Sequence, residues 1–130
     1  MNDSFGSPDA DGPLLVIVDG ANVVGSRPDG WWRDRRAAAE RLRDRLAREG
    51  LPGRDGAVEI VLVVEGAARG VESVPGVRVV AAPGSGDDRI VELTAENSAR
   101  PRLVVTADRE LRRRVTELGA EVTGPRAVLG

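Results

Sequence analysis

The sequence contains no cysteine, histidine, lysine or tyrosine. Without cysteine there is no disulfide and no thiolate chemistry, which fits a reducing compartment. Without histidine there is no Ser-His-Asp or Cys-His catalysis. The ligands that zinc prefers are absent with the same two residue types. Without lysine there is neither a Schiff-base amine nor the phosphate-binding lysine of a P-loop. Aromatic residues make up 2% of the chain, which leaves little surface to stack on a sugar and disfavours a two-carboxylate glycosidase. An enzyme built from this sequence would work with carboxylates, arginine, asparagine and hydroxyls. Oxygen ligands of that kind suit hard cations such as Mg²⁺ or Mn²⁺.

What is present describes one ordinary domain. The chain has 130 residues and is 41% hydrophobic, enough for a single core. No apolar run approaches the roughly 20 residues of a membrane span. The opening, MNDSFGSPDADGP, carries acids where a signal peptide would carry basic and apolar residues. These features predict a soluble cytoplasmic protein with no membrane association. Net charge is -2, so the chain as a whole is not a basic nucleic-acid binder. All 19 basic residues are arginine. GC-rich coding explains most of that bias, and bidentate phosphate contacts explain a few positions.

Residues 1–12 read as a flexible polar tail, and 13–130 as the folded domain. Leu14–Val18 is a continuous apolar run of strand length, buried on both faces. Residues 19–30, rich in Gly, read as a loop. Trp31–Glu49 reads as a helix that buries Ala38, Ala39, Leu42 and Leu46, with Gly50 and Pro52 ending it. Strands follow at Ala57–Val64, Val77–Ala81, Leu103–Thr106 and Ala120–Thr123, and helices at Asp87–Asn97 and Ala107–Leu118. The 65–76 link carries no clear helix. Alternating strands and helices predict a three-layer α/β domain around a mostly parallel sheet. Leu14–Val18 is expected at its centre, flanked by Ala57–Val64 and Leu103–Thr106.

Ligands bind parallel sheets outside the carboxyl ends of the strands. Asp19 follows the first strand and Glu65 the second. Asp87 and Asp88 open the helix after the third strand, and Asp108 follows the fourth. Four segments therefore deliver acids to one rim, where their mutual repulsion favours a bound divalent cation. Each acid alone also fits a structural role: a helix cap for Asp87, Asp88 or Asp108, a solvated strand end for Glu65, and a turn for Asp19-Gly20. Two other site classes fail at single positions. Gly84-Ser85-Gly86 has Arg89 where a dinucleotide fingerprint needs its third glycine. Ala21 stands where a haloacid-dehalogenase-type phosphatase needs a second aspartate.

Three stretches resemble one family. Val16-Ile17-Val18-Asp19-Gly20-Ala21-Asn22 resembles the Asp-Gly-x-Asn motif of the NYN domains in the PIN-like nuclease superfamily, with a likeness to their YacP-like branch. Gly84-Ser85-Gly86-Asp87-Asp88-Arg89-Ile90 and Val104-Val105-Thr106-Ala107-Asp108 resemble its second and third motifs, in the family's order. The resemblance implies a Rossmann-like five-stranded sheet in the order 3-2-1-4-5, and metal-dependent hydrolysis of RNA. By position it implies Asp19, Asp87 and Asp108 as metal-binding acids, with Asp88, the other acid of its pair, as a further candidate metal ligand. Asn22 and Thr106 match supporting residues, and Glu65 stands where relatives often carry Asp. Arg27, Arg33, Arg89 and Arg109 are placed to hold an RNA backbone. Arg112–Arg114 form either a solvated helix face or an RNA-tracking stripe. Trp31 and Trp32 either anchor a helix or stack on a base. The expected activity is a Mg²⁺- or Mn²⁺-dependent ribonuclease. The alternative is a non-catalytic RNA- or ribosome-binding module of the same fold.

Overall fold

The structure is a computed structural model and describes residues 12–54 and 56–130. The tail assigned to residues 1–12 lies outside the described residues except for Gly12. The first strand, β1 (Leu14–Asp19), leads into a short helix α1 (Gly20–Gly25). A 3-10 turn at Trp31–Arg33 precedes α2 (Arg35–Glu49). Next come β2 (Val58–Val64), a second 3-10 turn at Gly66–Ala68 and β3 (Val77–Ala81). The chain finishes with α3 (Gly86–Glu96), β4 (Arg102–Val105), α4 (Arg109–Glu117), β5 (Glu121–Thr123) and α5 (Arg126–Leu129).

The five strands form one sheet in the order β3-β2-β1-β4-β5, and every pairing is parallel. The expected order and the central place of β1 are both observed. The reason is visible in β1 itself. Leu15 and Ile17 pack into one core with Ile90 and Leu93 of α3 and Leu111 and Val115 of α4. Val16 and Val18 pack into the other with Val23 of α1, Leu42 and Leu46 of α2 and Val128 of α5. A strand covered on both faces must be apolar at every position, which is why LLVIV shows no alternation. Ala38, Ala39, Leu42 and Leu46 are the buried face of α2, as their spacing predicts.

Three local assignments are corrected. The stretch after β1 is not a loop throughout: Asp19 caps α1 through its carboxylate, and burial of Val23 holds that helix against the sheet. The helix expected from Trp31 is interrupted at Asp34, whose carboxylate caps Ala37 N and restarts the chain as α2. α5 was not foreseen. It follows Pro125 and is closed by arginines from other elements: Arg27 and Arg45 both donate to the Leu129 carbonyl.

Register decides where the chemistry sits. Asp19 lies opposite Val63, and Val18 opposite Val105. The carboxyl ends of β1, β2 and β4 are therefore level, and the N-termini of α1, α3 and α4 return to the same rim.

Candidate acidic site at the carboxyl rim of the sheet

Asp19 is the most constrained of the acids, with 4% of its surface exposed. Its Oδ2 accepts a hydrogen bond from Thr106 Oγ1 at 2.8 Å, and its Oδ1 accepts one from Asn22 N at 3.4 Å. Its pKa is raised to about 6: burial drives the rise, the bonds from Thr106 and Asn22 oppose it, and the charges of Asp87 and Glu65 add to it. Thr106 is itself fully buried and also accepts from Asp108 N at 3.1 Å. Asn22 Oδ1 accepts from Ala107 N at 2.8 Å. Thr106 and Asn22 thus tie the segment after β1 to the segment after β4, which brings Asp19 and Asp108 to one place.

Helix capping accounts for part of this acid cluster. Asp108 is the N-cap of α4, accepting from Leu111 N at 2.9 Å. Glu65 Oε1 accepts from Gly86 N at 2.8 Å, at the first turn of α3. That contact explains the second glycine of Gly84-Ser85-Gly86. A Cβ on residue 86 would lie 2.6 Å from Glu65 Oε1, so the glycine permits a close approach between α3 and the strand end. Asp87 has no such role. The cap of α3 is Ser85, whose Oγ accepts from Asp88 N. Asp87 is pushed above the usual carboxylate range by partial burial, then by Asp108 and Glu65, with Arg114 opposing. It lies in the first turn of α3 without capping it, and the neighbouring acids oppose its charge.

Asp88 stands differently. Its side chain is 70% exposed and pairs with Arg114 at 3.1 Å. Among the described residues no group of three carboxylates stands close enough to hold a metal ion. The donor chemistry of Asp19, Asp87 and Asp108 fits a hard cation, since all three offer oxygen and each raises the cost of charge on its neighbours.

The arginines are mostly committed elsewhere. Arg27 donates to the carbonyls of Leu129 and Gly130 at 3.0 and 3.1 Å. Arg33 lies 5.9 Å from the Trp32 ring. Arg89 pairs with Glu92 and Glu96 along its own helix. Arg109 is exposed, with no bonded partner among the described residues. Arg112 Nε donates to the Thr106 carbonyl at 2.7 Å, Arg113 pairs with Glu110 and Glu117, and Arg114 pairs with Asp88. The Arg112–Arg114 run is therefore not one stripe: its members serve four local partners. The roles of Arg112 and Arg114 at the rim were missed in the sequence, where only the run was visible. Trp31 packs near Gly25 of α1 under the Arg35 guanidinium, whereas Trp32 is 53% exposed.

Thr106→Val tests the tie directly. It removes the donor to a buried carboxylate and the acceptor for Asp108 N. Losing such a bond costs about 1–3 kcal/mol. Urea unfolding at about pH 8, where Asp19 is ionised, should show that loss, and Thr106→Ser should restore most of it.

The β3-β2-β1-β4-β5 order with two helical layers defines a Rossmann-like three-layer α/β domain. Acids gather at its carboxyl rim, beside the point where strand order reverses, which is the usual ligand site of such sheets. Among solved structures the chain is similar to Rae1 (YacP) from Bacillus subtilis, with a TM-score of 0.67 and 23% identity over 88% of this chain and 72% of that one. At that identity the likeness establishes a shared fold. No protein-family profile and no curated protein matches the chain.

Proposed function

We propose that this domain is a metal-dependent ribonuclease of the NYN group in the PIN-like superfamily. The observation that carries the reading is the surplus of acid at the rim. Asp19 is buried with its pKa raised to about 6, and Asp87 is raised by neighbouring acids without capping any helix. The mutual repulsion of these acids is a cost to the fold that a bound cation would relieve. The three motifs that carry the NYN resemblance supply these same acids, and the YacP-like sheet order supports the same group.

Asp19, Asp87 and Asp108 would hold Mg²⁺ or Mn²⁺, with Asp88 and Glu65 at the margin of the site. When bound, such an ion neutralises the acids and polarises a phosphodiester for attack by water. Thr106 and Asn22 orient Asp19. Asp108 keeps Oδ1 on Leu111 N, which leaves Oδ2 for a ligand. Asp87, which caps no helix, would hold the ion and orient a water beside it. Arg109, exposed at the first turn of α4 and without a bonded partner among the described residues, would meet a phosphate.

The second reading, an RNA- or ribosome-binding module without catalysis, is favoured because no three carboxylates among the described residues are grouped as a metal site. Paired substitutions separate a ligand from a helix start. Asn caps about as well as Asp, and neither Asp87 nor Asp88 supplies the cap. Asp87→Asn should leave metal-free stability unchanged or slightly higher, since it removes a repelled charge, yet lower Mn²⁺-dependent RNA cleavage at least about 100-fold. Asp88→Asn should lower it far less. Full cleavage by Asp87→Asn would remove Asp87 from the site. Metal-dependent cleavage absent from the unmodified protein would favour the binding module.

A further inference from the structure

Away from the acids, a groove of about 440 Å³ runs between α1 and α2. Arg27, Arg41, Arg45 and Arg48 line it, with Asp29 and Asp44 as the only acids of its wall. Asp44 is already bonded to Arg43 Nε at 2.9 Å, and Glu49 lies 3.4 Å from Arg45 and 3.6 Å from Arg48, so the wall keeps a basic balance, carried chiefly by Arg27 and Arg41, in a chain whose net charge is -2. A second cavity, of about 450 Å³, shares Arg27 and Leu129 with the first and is lined further on by Arg126 and Ala107. Ala107 is the neighbour of Asp108, and its N–H is held by Asn22. The two cavities form a path from the acidic rim, past Arg126 and Arg27, to Arg41, Arg45 and Arg48.

These arginines are held at different strengths. Arg45 Nη2 is fixed to the Leu129 carbonyl at 2.8 Å, while its buried Nε has no hydrogen-bond partner among the described residues. Glu49, at 3.4 Å, is its ion pair but not a bonded acceptor. Arg41 and Arg126 are exposed and have no hydrogen-bonded or ion-paired partner among the described residues. Guanidinium groups in a row, partly anchored and partly free, suit a run of phosphates better than a single anion. The groove wall carries no tryptophan, so it would follow the backbone and leave the bases unread.

We propose that this arginine path binds the backbone of single-stranded RNA as it leaves the acidic rim. The inference rests on the ribonuclease reading for the identity of the polymer, and it can fail independently. The test is fluorescence anisotropy with a labelled single-stranded oligouridylate of roughly 12 nucleotides, in EDTA to suppress cleavage, across a salt series. Arg41→Glu/Arg48→Glu should weaken binding at least about 10-fold and flatten the dependence of log Kd on log salt by about one to two units. Arg78→Glu, an exposed charge reversal on β3 outside the path, should change Kd less than about two-fold. Circular dichroism confirms that each variant is folded. If the double variant binds as the unmodified protein does, or loses no more than Arg78→Glu, the path is wrong. Manganese-dependent cleavage of the same RNA by the unmodified protein is scored separately. Cleavage with no loss in the double variant overturns the path and leaves the ribonuclease reading intact. Loss of binding without any cleavage supports the path and overturns catalysis. Neither binding nor cleavage overturns both.

Discussion

Asp19→Asn should make the metal-free protein more stable near neutral pH while removing its response to metal. The folded-state pKa of Asp19 is raised from 3.8 to about 6, so ionisation opposes folding. The penalty is absent below the unfolded pKa, grows as pH rises towards 6, and is complete above it. A shift of that size corresponds to on the order of 3 kcal/mol for the unmodified protein. Asparagine never ionises and so escapes the penalty. It keeps an acceptor for Asn22 N but presents a weaker partner to Thr106, which offsets part of the gain. A net increase of about 1–2 kcal/mol near pH 7, vanishing near pH 4, is expected by urea unfolding. Asp87 is shifted in the same direction, so the unmodified protein without metal should itself lose stability between about pH 4 and 7. Addition of Mn²⁺ should raise the melting temperature of the unmodified protein, because a ligand specific to the folded state stabilises it. The rise should be much smaller in Asp19→Asn. A variant that is destabilised at pH 7, or that keeps the full Mn²⁺ response, would show that Asp19 is a structural cap and nothing more.

The largest loss of stability is expected from one methyl group at the next residue. A Cβ on Gly20 would lie 2.6 Å from the Val63 carbonyl oxygen and 3.3 Å from Leu62 Cδ1. The first of these is backbone in a parallel ladder and cannot rotate away. Gly20→Ala must push α1 off the sheet or part β1 from β2, which costs about 3 kcal/mol or more. Because Asp19 and Asn22 flank this residue, the same movement would disturb the Thr106 and Ala107 bonds. Chemical denaturation should show the destabilisation, and the Mn²⁺ response should fall with it. Unchanged stability would mean that the close packing of α1 on β2 is not needed. The Asp-Gly pair that reads as an ordinary turn in the sequence is thus a strand end followed by a tightly packed helix start.

The sheet was readable because its burial is extreme. A strand such as Leu14–Val18, covered on both sides, has no polar position to confuse the pattern, and its neighbours are also short apolar runs. What escaped reading depends on contacts between distant residues. α1 has a Gly-rich sequence that favours a loop; a cap from Asp19 and the burial of Val23 decide otherwise. α5 is too short for periodicity, and it is closed by Arg27 and Arg45, which lie far away in the sequence. The acids were legible as a set because each immediately follows a strand or opens a helix. Their division of labour was not. Only side-chain geometry shows that Asp108 caps α4, that Glu65 holds Gly86 N, and that Asp87 is left over. The arginines were the least legible, since a long flexible side chain can serve a carbonyl, a carboxylate or a ring from one backbone position. Of the arginines expected to meet RNA, Arg33 and Arg89 are engaged within the protein and Arg27 is anchored to the last two carbonyls where the two cavities meet, while Arg112 and Arg114 reach the rim.

The central claim is that the acids at the rim support metal-dependent cleavage of RNA, and one assay addresses it most directly. Labelled single-stranded RNA is incubated with purified protein in Mn²⁺, in Mg²⁺ and in EDTA, beside Asp19→Asn. Cleavage is expected with either ion, none in EDTA, and a loss of at least about 1,000-fold in the variant. Cleavage that persists in EDTA, or that Asp19→Asn retains in full, would contradict it.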